Sequence, residues 1–219
     1  MNKIGFIFDL DGVIVDTAKY HYLAWKKLAN ELGFEFTEDQ NELFKGVSRK
    51  RCMEILLDIG NIEANTEQFN RWMIEKNVDY LAYIEKMNES EILPDVPKIL
   101  NYLKENKMPI ALGSASKNAK PILEKVHLLH YFDVIADGNN VTKAKPDPEV
   151  FLIAAKQLGV APENCVVFED AVAGVEAANA AKMVSIGIGN KKILSHADYN
   201  FNNFKEIEIE FIKELTERR

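Results

Sequence analysis

The chain has 219 residues, enough for one large domain or a large one carrying a smaller insert, and its 47% hydrophobic and 28% charged residues describe an ordinary globular protein. Its formal net charge of −7 argues against nucleic acid or an anionic membrane as partner, whereas phosphorylated metabolites need only a few cations gathered in one cleft. Two cysteines, Cys52 and Cys165, lie far apart and outside any C-x-x-C spacing, which argues against a disulfide framework or a zinc site.

The first apolar run, IGFIF at 4–8, reads as a strand covered on both faces. It is too short for a signal peptide or a membrane span, so a reducing cytoplasm is the expected compartment. The run ends in FDLDGVIVDT. Residues two apart on an extended segment point to the same side, so Asp9 and Asp11 project together, and like charges repel unless a cation or a shared proton relieves them. Alone, a D-x-D pair is more often a solvated strand end than a site.

After this strand only helical spacing follows for a long stretch. In AKYHYLAWKKLANELG, Tyr22, Trp25, Leu28, Ala29 and Leu32 recur on one face and Gly33 supplies a stop; SRKRCMEILLDIG and TEQFNRWMIEKNVDYLAYIEKM continue the pattern. The expectation is a helical domain over 16–91, inserted into a core made of 1–15 and 92–219. From residue 93 onward, helix-length and strand-length segments alternate. The strands are PIALG (109–113), a weaker DVIA (133–136), CVVF (165–168) and MVSIGIG (183–189). Between them lie LPDVPKILNYLKEN, NAKPILEKVHLL, DPEVFLIAAKQLG and DAVAGVEAANAA. This alternation predicts an α/β fold with a doubly wound parallel sheet.

Polar residues gather where the apolar runs stop. The second run leads into GSASKN, with Ser114, Ser116, Lys117 and Asn118; the fourth ends at Glu169 and Asp170; KAKPDP places Lys145 before a helix whose entry is set by Pro146 and Pro148. Ligands of open α/β sheets bind outside the carboxyl ends of the strands, at the switch point of the winding. If strand one is central, four carboxylates, two hydroxyls and one lysine share a cleft there. Such a set fits Mg²⁺, which takes hard oxygen ligands and keeps several waters, together with a phosphoryl group. Ser114 and the N–H groups around Ala115 can donate to phosphate oxygens, and Lys145 adds a point charge. With no Cys–His or Ser–His arrangement evident, a carboxylate is the nucleophile of choice. Other motifs are weak or missing: GIG at 187–189 lacks the third glycine of a dinucleotide fingerprint, no P-loop or EF-hand loop occurs, and His127, His130 and His196 stand alone.

DLDGVIVDT, GSASKN, KAKPDP and VVFEDAVAGVEAA, in that order, resemble the four signature motifs of the haloacid dehalogenase-like phosphotransferases, whose core is Rossmann-like, and the helical insert resembles that superfamily's cap. DTAKYHYLAWKKLA, LFKGVSR (43–49) and EKN (75–77) are similar to its sugar-phosphate mutases. The resemblance implies that Asp9 becomes an aspartyl phosphate and that Asp11 is the general acid–base. It implies magnesium held by the Asp9 side chain, the Asp11 carbonyl, Glu169 and Asp170, and a transferring phosphoryl group gripped by Ser114, Ala115 and Lys145. Lys45, Gly46, Val47, Ser48 and Arg49 would meet the sugar and the distant phosphate. Thr17, His21 and Lys76 would reach the substrate from the cap side, with Ser116, Lys117 and Asn118 on the core side. Arg49 also follows a glycine at a helix start, where backbone N–H groups favour anions. Trp25 reads as packing, and Lys50 and Arg51 as solvated surface. The implied activity interconverts β-D-glucose 1-phosphate and glucose 6-phosphate through a bisphosphate, the alternative being a sugar-phosphate phosphatase. Small-molecule sugar phosphates are then the partners, and a monomer suffices because both halves of the cleft lie in one chain. Two departures from the family pattern, Lys182 where a glycine is frequent and Gly113 where a larger residue is common, bear on local stability.

Overall fold

Short apolar segments that cannot face water dictate the layout. The computed structural model describes residues 3–44 and 47–217. Strands β1 (Gly5–Phe8), β2 (Ile110–Gly113), β3 (Val134–Ala136), β4 (Cys165–Glu169), β5 (Val184–Ile188) and β6 (Tyr199–Phe201) form one parallel sheet in the order β3-β2-β1-β4-β5-β6. The strand opening the chain is central, flanked by β2 and β4, and Phe8 pairs with both Leu112 and Phe168. The carboxyl ends of these three strands therefore lie level, which is what brings their polar successors together. The sixth strand was not anticipated. Its three residues, YNF, are all half-buried, so it has neither the continuous apolar run nor the length that marks a covered strand.

Alternation along the strands divides the core between the two faces. On one, Phe6, Phe8, Leu112, Val166 and Phe168 pack against Ile99 and Leu103 of α5 (Val96–Glu105) and Ile212 of α9 (Ile209–Glu217). On the other, Ile7, Ala111 and Val167 meet Phe151 and Ala154 of α7 (Glu149–Leu158) and Ala177 and Ala178 of α8 (Val172–Ala180). The Phe8 and Phe168 rings stack at 4.5 Å, and burying each such side chain stabilises the fold by about 1.5–3 kcal/mol. Gly113 fits this layer because Phe151 fills the space a side chain would need: a Cβ there would lie 2.7 Å from the Phe151 ring. Lys182 closes its turn at φ +60°, the left-handed conformation a glycine would adopt without strain.

Helices α1 (Ala18–Glu31), α2 (Glu38–Asn41), α3 (Arg49–Gly60) and α4 (Thr66–Ile84) have a hydrophobic centre of their own, made of Trp25, Leu28, Phe36, Met53, Leu56 and Trp72. Trp25 is 1% exposed and meets Phe44 edge-on, so it packs, as its spacing implied. Thr37, Ser48 and Asn65 cap their helices through side-chain oxygens that accept backbone N–H groups. The chain leaves the sheet and returns to it side by side: Asp16 N donates to Glu91 O at 3.0 Å, Leu93 N to Ile14 O at 3.0 Å, and Val15 and Ile92 form an antiparallel bridge. Among the described residues no helix is long and apolar enough to cross a membrane.

Candidate active site

At the carboxyl end of the sheet one ammonium ties three strands together. Lys145 Nζ donates to Asp9 Oδ1 at 2.6 Å, to the Gly113 carbonyl at 3.1 Å and to Glu169 Oε1. Asp9 follows β1, and its N–H extends the ladder onto Phe168 O at 3.0 Å. Glu169 ends β4, and its second oxygen accepts the Ala171 N–H at 3.0 Å. Lys145 and Glu169 side chains are each 1% exposed. Burial works against the Lys145 charge, but Asp9 and Glu169 outweigh it and hold the lysine above its ordinary range. One cation cannot neutralise two acids: burial, reinforced by the Asp9 charge against the pull of Lys145, pushes Glu169 up to about 7.

Asp11 stands apart from that triad. Its Oδ1 accepts the Thr17 hydroxyl, and burial first, then the charge on Asp9, push its carboxyl up to about 6, with Thr17 pulling the other way. Asp170 lies against Gly12, whose φ is +79° and where any Cβ would overlap the Asp170 carboxylate. The backbone conformation and the close approach both select glycine at that position. The charge on Asp9 acts on both Asp11 and Glu169, while hydrogen bonds divide the four acids. Asp9 and Glu169 share Lys145, Asp11 turns to Thr17, Asp170 packs on Gly12, and no group of three acidic, histidine or cysteine side chains among the described residues makes a metal cage. Two of the acids thus share one cation, and Asp11 has a hydroxyl donor instead.

The loop after β2 forms the wall beside Asp9. Ser114 is fully buried; its Oγ accepts the Ser116 N–H at 3.1 Å, and Ser116 Oγ accepts the Asn118 N–H at 3.2 Å. Among the described residues the N–H groups of Ala115 and Lys117 donate to no protein acceptor. Lys117 itself is exposed. Asn118 Nδ2 donates to Asn77 Oδ1 of α4 at 3.0 Å, tying this loop to the helical unit.

On that opposite side a second cationic group is buried without a carboxylate in hydrogen-bond contact. Lys76 is 1% exposed, lies 3.0 Å from His21 Nδ1, and has its Nζ 4.4 Å from the Trp25 ring centroid and 4.7 Å from that of Tyr80. Burial chiefly, and the nearby Arg49 guanidinium next, bring Lys76 down to about 7. His21 stacks on Tyr80 at 4.1 Å; burial, Lys76 and Arg49 together hold it well below the ordinary histidine range, so its ring is neutral and can accept the lysine proton. Arg49 opens α3 and is half-buried. Ser48 and Val47 have structural tasks: Ser48 Oγ caps α3 through the Arg51 N–H at 3.3 Å, and the Val47 carbonyl accepts the Cys52 thiol at 3.7 Å. Lys45 and Gly46 lie outside the described residues. Tyr80 and Asn77 escaped the sequence reading. Tyr80 is fully buried, its hydroxyl has no hydrogen-bond partner among the described residues, and burial first, then the Asp11 charge, push it well above the ordinary tyrosine range. Its position one turn after Lys76 was the available signal.

A family model for haloacid dehalogenase-like hydrolases matches residues 5–182. The beta-phosphoglucomutase of Bacillus subtilis (strain 168) is 39% identical over 215 residues, covering 97% of this chain and 95% of that one. A phosphorylated carbohydrates phosphatase of Thermotoga maritima is 33% identical over 177 residues, 80% of each chain. Among solved structures, a beta-phosphoglucomutase from Clostridium difficile matches with a TM-score of 0.94 and 40% identity, covering 99% of this chain and 98% of that one.

Proposed function

The chain belongs to the haloacid dehalogenase-like hydrolase family, and on that footing we propose that it is a mutase interconverting β-D-glucose 1-phosphate and glucose 6-phosphate through an aspartyl-phosphate enzyme and β-glucose 1,6-bisphosphate. The observation that carries the choice of mutase is the second buried cation. A phosphatase needs one phosphate grip, whereas a bisphosphate turning end over end needs two, and Lys76 with Arg49 forms a second basic group within reach of Asp11, with no acidic side chain among the described residues bonded to Lys76.

Asp9 is the nucleophile of this reading. Lys145 fixes one of its oxygens, Ser114 and the Ala115 N–H receive the phosphoryl oxygens, and Asp11 serves the sugar hydroxyl. As the phosphoryl group leaves Asp9, the bond from Asp9 oxygen to phosphorus breaks and the bond from sugar oxygen to phosphorus forms. The hydroxyl proton passes to Asp11, and the reverse transfer returns it. A carboxyl with a pKa near 6 suits both directions, since proton donor and acceptor forms are both accessible near neutrality. Val47, Ser48, Arg49, His21 and Lys76 face the sugar and the far phosphate, with Thr17, Ser116, Lys117 and Asn118 completing the enclosure. The helical unit over 16–91 acts as a cap on the core of 1–15 and 92–219 and keeps water from the aspartyl phosphate.

The site also suits magnesium. Its donors are hard oxygens, one negative charge of the Asp9–Lys145–Glu169 triad stays unmatched, and the bare Gly12 leaves room for the Asp170 carboxylate. Asp9, the Asp11 carbonyl and Asp170 would hold the ion, with Glu169 reaching it through water. When bound it neutralises charge on the phosphoryl group being transferred. Small sugar phosphates are the partners of this reading, in the cytoplasm and with a monomer sufficient. Product analysis with β-glucose 1-phosphate, magnesium and a trace of bisphosphate tests it: glucose 6-phosphate should form far faster than inorganic phosphate. Equal rates would replace the mutase with a phosphatase, the activity that the Thermotoga maritima relative's name carries.

A further inference from the structure

The loop Ser114–Asn118 does not hold its own shape. It leans on the turn that follows β3, and nothing in the motif pattern marks that turn. Gly138 N donates to Ser116 O at 3.2 Å, and Asn139 Nδ2 donates to Lys117 O at 3.0 Å. Gly138 also lies against the neighbouring peptide, where a Cβ would fall well inside contact distance of the Ala115 carbonyl oxygen and 3.0 Å from the Lys117 side chain. The Gly138 φ is not in the left-handed region, so the constraint there is close approach of two backbones. The turn in turn is braced by buried Asp137. Its Oδ1 accepts the Asn139 N–H at 2.8 Å and its Oδ2 the Asn139 Nδ2 at 3.2 Å, while its own N–H donates to Asn140 Oδ1 at 2.9 Å.

A trans peptide points its C=O and the following N–H in opposite directions. Holding the carbonyls of Ala115, Ser116 and Lys117 toward the turn therefore aims the N–H groups of Ser116, Lys117 and Asn118 away from it. Those of Ser116 and Asn118 close on Ser114 Oγ and Ser116 Oγ, and that of Lys117 is left without a protein acceptor. Ala115 N–H, one peptide earlier in the same loop, is likewise free among the described residues. We infer that Gly138 and Asn139 are positioning residues for phosphoryl binding: the Asp137–Asn140 turn orients the free Lys117 N–H, beside that of Ala115, toward an anion near Asp9. The inference rests on the phosphotransfer reading of that site. Neither residue touches the reacting atoms, and each acts through a carbonyl of the loop.

The test uses Gly138→Ala and Asn139→Ala, with Asn140→Ala as control, since Asn140 braces the turn but bonds to no carbonyl of the loop. Phosphorylation of Asp9 by acetyl phosphate is followed by intact mass in magnesium buffer, with inorganic phosphate as competing inhibitor. Gly138→Ala and Asn139→Ala should each raise the KM for acetyl phosphate and the Ki for phosphate about tenfold, the scale of one misdirected hydrogen bond to a charged group, with maximal rate within about twofold. Asn140→Ala should lower Tm and leave both constants alone. Should Gly138→Ala fail to fold, Asn139→Ala carries the test, because Asn139 is exposed. Unchanged KM and Ki in Asn139→Ala, or changes matched by Asn140→Ala at equal loss of Tm, would overturn the inference. Wild-type phosphorylation on Asp9 without conversion of glucose 1-phosphate would sink the mutase reading and leave this one standing.

Discussion

Replacing Lys145 by methionine, of similar length and no charge, isolates what the buried ammonium does. The variant leaves Asp9 and Glu169 facing each other with no cation between them and removes a donor from the Gly113 carbonyl. Removing one partner of a buried ion pair costs about 3–5 kcal/mol, and an orphaned neutral acceptor adds about 1 kcal/mol or more. The side chain is 1% exposed, so solvent screening does not discount the figure. The loss depends on pH with a definite sign. Burial and the Asp9 charge already hold the Glu169 carboxyl above its unfolded value against the pull of Lys145, and the variant removes that pull. A folded state that binds more protons than the unfolded one loses stability as pH rises through that raised value. Urea unfolding followed by circular dichroism, with chelator present, should therefore show a deficit of about 4–6 kcal/mol near pH 8 that shrinks by half or more near pH 5. A deficit below about 1 kcal/mol, or one of the same size at both pH values, would refute the triad as a charge-compensated unit.

Asp9→Asn should abolish turnover and leave the fold intact, because the amide is a poor nucleophile; activity within about tenfold of wild type, with deamidation excluded by mass spectrometry, would remove Asp9 from that role. Arg49→Ala should cost roughly 2–4 kcal/mol in kcat/KM for glucose 1-phosphate while leaving phosphorylation by acetyl phosphate nearly untouched; equal losses in both reactions would place Arg49 in the core grip or the fold. Thr17→Ala removes the bond that pulls the Asp11 carboxyl down, so the acidic limb of the pH–rate profile should move up from about 6. An unmoved limb would mean that Asp11 is not the titrating group.

The strands near the site were legible because they are buried on both faces. The segments around Phe6, Leu112, Val167 and Ile186 are nearly continuous apolar runs, and the polar residues at their ends meet on the condition that β1 lies between β2 and β4, as it does. Half-buried β6 carries no such run. The vicinity of Asp9, Ser114, Lys145 and Glu169 could be read in the same way, since a level sheet edge brings together whatever follows its strands. What residue counting misses is which partner each charge takes. Four acids in a list do not say that Thr17 takes Asp11 and that Lys145 bridges Asp9 and Glu169. Asn77, Gly138 and the surroundings of Tyr80 were hidden for a different reason. Each acts at a distance of many residues in sequence, through contacts set by how α4 and the β3 turn pack, and their types alone say nothing of that.

The paired crossing between sheet and cap has a mechanical consequence. Two independent tethers would let the helices swing, slide and twist. Bonded to each other through Asp16–Glu91, Ile14–Leu93 and the Val15–Ile92 bridge, they form one narrow two-stranded ribbon whose strands must move together. The lower end of that ribbon is also bonded to the loop bearing Asp11: Asp11 bridges to Val15, Gly12 N donates to Val15 O at 2.9 Å, and Thr17, whose hydroxyl donates to the Asp11 carboxylate, is the residue before α1. The same short segment thus joins the two crossings to each other and to the bonds that set the Asp11 carboxylate, so a displacement of the helical unit cannot leave the Asp11 loop untouched.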